Sequence, residues 1–259
     1  MNSISVRALL IRGMLAGLAA GALALLVAYF LGESRVDAAI AIEEAAHSAH
    51  GHHHGAGEEL VSRGVQSTAG LATGVLVFGV AAGGIAALVF CYALGRMGRF
   101  GPRVTAALIS GAALLSVYVV PFLKYPANPP AVGNPDTIGE RTALFFLMVA
   151  LSVLLAVAAV IAGRRLARRL GNWNATVAAA AGYVLLIALA YVFLPSFNEV
   201  GTDFPATLLW QFRLATLAVQ ATLWTAFGLL FGHLTERLLV PRADALADGR
   251  TNRTAAAVG

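Results

Sequence analysis

Charge is what this sequence has least of. Only 12% of its 259 residues are charged, and 59% are hydrophobic. Soluble domains carry about 25% charged residues, so this chain lacks the polar surface to face water all round. It has one cysteine, Cys91, which excludes an intrachain disulfide and any thiolate metal cluster. Within its hydrophobic run Cys91 reads as a small packed residue. Lys124 is the only lysine, so there is no GxxxxGK[ST] phosphate loop and no ATP hydrolysis by that route. The long apolar runs contain no Asp, Glu or His of the kind that proton-coupled transporters place there. His233 stands alone at the end of a run, so a haem held between paired transmembrane histidines is not expected either. No nucleophile and base come together in any motif, and neither an enzyme nor a nucleic-acid partner is expected.

What is there are apolar runs near the ~20 residues a helix needs to cross a bilayer. Six are predicted as spans, at residues 8–31, 70–94, 104–123, 142–161, 176–194 and 208–231. A stretch such as LFFLMVALSVLLAVAAVIAG lacks the alternation of a membrane barrel strand. The fold class is therefore all-α, a polytopic integral membrane protein whose partner on every side is the lipid bilayer. Residues 1–239 form the transmembrane domain, with residues 32–69 as a His/Glu-rich outer loop. Residues 240–259 read as a disordered cytoplasmic tail.

The connectors set the orientation. Arg7, Arg12, Arg96, Arg99, Arg103, Arg164, Arg165, Arg168, Arg169, Arg237, Arg242, Arg250 and Arg253 fall at the two termini and on the second and fourth connectors. Arg35, Arg63, Lys124 and Arg141 fall on the other side, with Arg213 near the start of the last span. Lys and Arg concentrate in cytoplasmic connectors, so both termini are expected in the cytoplasm of a cell-membrane protein. Ten of the thirteen carboxylates, and five of the six histidines, then face outward. A cleaved signal peptide is the alternative for the first span, although its apolar run exceeds the usual signal core.

The spans also read as three helix pairs. Each outer connector is followed by an arginine at the mouth of the returning helix: Arg63, Arg141 and Arg213. The second and third pairs share prolines at their outer ends, in VVPFLKYP and FLPSF. Transporters often form sites between such repeats, but proline also simply ends helices. Small residues recur every fourth position at Gly13, Gly17 and Gly21, at Gly70 and Gly74, and at Gly79 and Gly83, which predicts close helix crossings in lipid.

The chemistry gathers in the first outer connector, EEAAHSAHGHHHGAGEE. His47, His50, His52, His53 and His54 are flanked by Glu43, Glu44, Glu58 and Glu59. Neutral imidazole is the commonest side-chain ligand for zinc, nickel, copper and cobalt-like ions, and carboxylates add oxygen donors. A divalent metal site is expected here, weakening below about pH 6.5 as protons compete for imidazole. The cluster does not name its metal, because nickel, copper and zinc bind such ligands at least as well as cobalt. A polar loop that happens to be His-rich is the plainer alternative. The other outer connectors offer Asp136, Glu140, Arg141, Glu199, Asp203 and Arg213 as a translocation mouth, with Asn128, Asn134 and Asn198 as further oxygen donors. Ordinary turn chemistry would use the same residue types, and Glu140 beside Arg141 is a candidate local ion pair.

The N-terminal RALLIRGMLAGLAAGALALLVAYF, the histidine connector, VPFLKYPANPPAVGNPDTIGERTALFF and LPSFNEVGTDFPATLLWQFRLATLAVQATLW together resemble the CbtA-type family of cobalt transporter subunits. The resemblance runs from about Arg7 to Leu239. It implies cobalt uptake beside a small His-bearing membrane subunit, CbtB, and a control linked to cobalamin synthesis. Members of that family are usually described with about five spans, one fewer than predicted here. The expected function is thus a membrane subunit for uptake of a divalent transition metal, cobalt first and nickel or zinc next. The ion is cargo, and no cofactor is expected. Entry of a divalent cation gains roughly 4–5 kcal/mol per 100 mV of inside-negative potential. The rival is a membrane protein that senses or scaffolds through a metal-binding outer loop. Export would need a ligand cluster on the Arg-rich inner face, where cations are repelled.

Overall fold

The computed structural model describes residues 3–49, 62–98 and 100–239, and the described residues are helical with no strand among them. The helices are α1 (Ser3–Val27), α2 (Glu33–Ala49), the short α3 (Arg63–Val65), α4 (Leu71–Ala93), α5 (Pro102–Ala113), α6 (Val120–Lys124), α7 (Ile138–Phe193) and α8 (Ala206–Leu239). Wider π-helical turns at Ala28–Gly32, Gln66–Gly70 and Leu114–Val119 join α1 to α2, α3 to α4 and α5 to α6. Among the described residues five helices are long and apolar enough to cross a membrane: Val6–Ala46, Gln66–Ala93, Pro102–Lys124, Pro135–Phe193 and Ala206–Leu239.

Two sequence expectations change here. The fourth and fifth predicted spans fall on one helix, α7, because RRLARRLGNWN contains no proline and keeps helical hydrogen bonding almost throughout. Only Gly171, at φ 74°, leaves the helical conformation. A straight helix of 56 residues would be about 84 Å long, far beyond a hydrocarbon core of roughly 30 Å. The two arms instead return alongside each other. Gly163 faces Ala179, the Ser152 hydroxyl lies 2.8 Å from the Tyr183 hydroxyl, and Met148 packs with Ile187. The position numbers fall on one arm as they rise on the other, as in an antiparallel hairpin. The second change concerns the outer loop at 32–69. Its first half, Glu33–Ala49, is helix and continues the first span. Residues 50–61 and the tail at 240–259 lie outside the described residues.

Contacts divide the chain into two units. The first comprises Met1–Leu26, Arg63–Gly111 and Ala221–Gly259. Its α1 and α4 cross antiparallel through bare backbone. A Cβ on Gly79 would lie 2.5 Å from the Gly17 carbonyl oxygen, and one on Gly13 would lie 2.6 Å from that of Gly83. The small-residue spacing at Gly13, Gly17, Gly21, Gly79 and Gly83 therefore marks a real crossing, whereas Gly74 faces open space. In the same unit α5 runs against α8. Gly228 faces Ser110, Gly232 faces Arg103 and Ala106, and Arg103 pairs with Glu236. Phe90 meets Phe231 edge to face, with centroids 5.1 Å apart, and Phe231 stacks on Phe227. Gly95, at φ 75°, stops α4, and Pro102 starts α5 where a missing N–H costs nothing.

The second unit comprises Val27–Ser62 and Ala112–Gln220. Pro121 sits within the α5–α6 run, where a proline removes one backbone hydrogen bond and crowds the preceding turn. The wide turn at Leu114–Val119 lies directly before it and opens that spacing. The Val120 carbonyl accepts a hydrogen bond from the Tyr191 hydroxyl of α7. Val120, Met148 and Ile187 form the buried cluster there, with Leu155, Tyr183 and Ala190 around it. A second cluster, Ala39, Val132, Phe204 and Leu209, packs α2 against the connectors at 125–137 and 194–205.

Candidate functional site

The two connectors of the second unit form a cap, and each is held by an arginine that follows the other. Arg141, on the first turn of α7 after connector 125–137, pairs with Glu199 of connector 194–205. Arg213, on α8 after connector 194–205, reaches back to connector 125–137. Its Nε donates to the Ala127 carbonyl at 3.3 Å and its Nη2 to Asn128 Oδ1 at 3.0 Å. The exchange is reciprocal.

Glu199 is the centre of the first clamp. Its carboxylate accepts from the Thr137 hydroxyl, from the Asn134 amide at 3.0 Å and from the Arg141 guanidinium. These donors, the Thr137 hydroxyl foremost, hold its carboxyl below the usual carboxylate range. The side chain is only 13% exposed and that of Arg141 24%, so the pair is shielded from salt better than an open surface ion pair. Gly133, at φ 129°, lets the backbone pass under the guanidinium, since a Cβ there would lie 2.9 Å from Arg141 Nη1. Asn134 also accepts from the Asp136 amide, which caps the short turn at Pro135–Thr137 leading into α7.

A third tie joins the ends of α6 and α7. Lys124 Nζ donates to the Tyr191 carbonyl at 2.8 Å and to Ser196 Oγ at 2.6 Å. The Tyr125 hydroxyl donates to the Pro195 carbonyl at 2.8 Å. Burial and the nearby Glu140 carboxylate push the Tyr125 phenol up. The sequence offered one sign of this tie: a lone lysine at the end of an apolar run must find acceptors or pay for its desolvation.

The predicted mouth residues thus separate. Arg141 joins Glu199 rather than its neighbour Glu140, and Arg213 holds the opposite connector. Asp136 and Glu140 are exposed, and exposed Asp203 lies 3.5 Å from the Thr202 hydroxyl. No three His, Cys, Asp or Glu side chains among the described residues come together as a metal site. Of the predicted metal ligands, Glu43, Glu44 and His47 lie on α2, with Glu43 half-buried and Glu44 exposed. His50, His52, His53, His54, Glu58 and Glu59 lie outside the described residues, as does the side chain of Arg63.

No curated protein and no solved structure matches the chain. The family model described as "Probable cobalt transporter subunit (CbtA)" matches residues 6–236, which take in both connectors, all three arginines at the returning helices and the histidine segment. That match covers nearly the whole chain, which belongs to the CbtA family of probable cobalt transporter subunits.

Proposed function

We propose that this chain is the membrane subunit of a divalent transition-metal uptake transporter, with cobalt the first cargo. It gathers ions outside at the His/Glu-rich segment and passes them to the connector cap. The observation that carries the proposal is the anchoring of α2. Ala39 and Ile42 pack against Val132, Phe204 and Leu209, so the helix that ends at residues 47–49 is seated on both connectors. His50 to His54 follow the end of α2 directly in sequence. Taken as two crossings, the arms of α7 give six spans in a cytoplasmic membrane with both termini inside. The Arg-rich bend is then cytoplasmic, as the positive-inside rule asks. The mouth at Asp136, Glu140, Arg141, Glu199, Asp203 and Arg213 is a clamped gate whose carboxylates meet the ion as the connectors part. A small His-bearing CbtB-like subunit is the expected partner.

Deleting residues 47–54 tests the capture role. Cobalt titration of the purified protein is expected to lose its tightest binding, and metal-dependent growth is expected to fall at limiting cobalt. The α2 contacts at Ala39 and Ile42 remain in that variant, so the fold is retained. Unchanged binding and growth would exclude capture by this segment.

A further inference from the structure

The bend of α7 carries four arginines in six residues: Arg164, Arg165, Arg168 and Arg169, all exposed. At i, i+1, i+4 and i+5 they share one side of the helix, while Leu166 and Ala167 between them are half-buried. Two like-charge pairs therefore stand at i, i+4, an arrangement that weakens a helix unless an anion intervenes. Residues 142–198 contain no carboxylate to supply one. Other arginines have found partners within the fold: Arg103 pairs with Glu236, and Arg96 donates to the Tyr92 carbonyl and lies over the Tyr92 ring. No hydrogen bond or ion pair involves the α7 four among the described residues.

What flanks them is apolar and open. Ile161 is 47% exposed on the turn before, and Leu170 46% and Trp173 79% exposed on the turn after. Guanidinium forks match phosphate oxygens in pairs, and Trp favours the headgroup level of a membrane. An anion with an apolar body fits both halves of this surface, where a soluble anion fits only one.

We propose that the α7 bend is a binding site for an anionic phospholipid. Its phosphate is held by Arg164, Arg165, Arg168 and Arg169, and its glycerol and upper acyl chains lie along Ile161 and Trp173. The site is separate from metal capture and stands or falls independently of it.

Native mass spectrometry of the full chain in neutral detergent tests the site, with phosphatidylglycerol and phosphatidylcholine of equal chain length added in turn. The wild-type protein is expected to retain phosphatidylglycerol several-fold more than phosphatidylcholine. The pair variants Arg164→Gln/Arg168→Gln and Arg165→Gln/Arg169→Gln keep positive charge for insertion, and each is expected to lose most of that preference. An unchanged preference in both pair variants overturns the site. Millimolar inorganic phosphate is the second arm. Retention of the lipid supports a lipid site, and its displacement by phosphate alone would assign the arginines to a soluble anion instead.

Discussion

Gly17→Val is expected to break the α1–α4 crossing and sharply lower the thermal midpoint of the detergent-solubilised protein. A Cβ at Gly17 falls inside the van der Waals shell of the Gly79 carbonyl oxygen and lies 3.1 Å from Gly83 Cα. Neither obstacle is the movable tip of a side chain, so the helices must separate. Overpacking a fitted interior costs about 1–3 kcal/mol, and a rigid backbone contact belongs at the upper end. In lipid the loss is felt fully, because close packing rather than water exclusion drives helix association there. Gly74→Val on α4 is the control, since nothing lies within 4 Å of a Cβ at Gly74. It introduces the same side chain into the other helix of the crossing pair and is expected to leave the midpoint nearly unchanged. Equal losses in the two variants would show that helix propensity, not the crossing, sets the effect.

The clamp yields the second large effect. Glu199→Ala removes the common acceptor of Thr137, Asn134 and Arg141 and leaves the half-buried Arg141 without its carboxylate. Amide exchange at Asn134, whose N–H donates to Glu199, is expected to quicken roughly ten-fold or more, as local opening of the cap becomes easier. Amides in the first unit, around Ser110 and Gly228, are expected to stay as slow as before. The acid dependence has a definite sign. The folded-state pKa of Glu199 is lowered, so its contribution is complete above the ordinary carboxylate value of about 4.3. It is lost as the pH falls through the lowered folded value. After correction for intrinsic exchange, wild-type connector protection should therefore persist to about pH 4.3 and fade only in stronger acid. Fading already at pH 5–6 would place control of the cap on some other group.

The sequence disclosed more of the membrane than of the cap. Long apolar runs have one outcome in lipid, because every backbone group must be paired within the segment, and the predicted spans accordingly lie on helices. The small-residue spacing located the α1–α4 crossing, yet the same spacing at Gly70 and Gly74 locates none, since spacing alone does not say which face meets a neighbour. α2 was legible in principle. DAAIAIEEAAHSA is rich in Ala and Glu, both strong helix formers, and Ala39 and Ile42 recur at i, i+3. Its polar residues nonetheless suggested a loop. Arg141 shows the deeper limit. Glu140 is adjacent in sequence, but on a helix side chains at i and i+1 diverge, and the true partner lies 58 positions away. The position of each arginine could be read from the chain, but the reciprocal exchange between connectors depends on how the hairpins fold together. The fourth and fifth predicted spans share one long helix because the polar bend between them keeps helical hydrogen bonds, and only Gly171 leaves the helical conformation there.

Uptake of radiolabelled cobalt into sealed vesicles containing this chain, with and without a CbtB-like subunit, tests the central claim most directly. An inside-negative potential is imposed, and nickel and zinc serve as competitors. The account predicts saturable uptake that rises with the potential and falls when residues 47–54 are removed. Metal binding without flux, in vesicles holding both subunits, would contradict it and make the chain a sensor or scaffold.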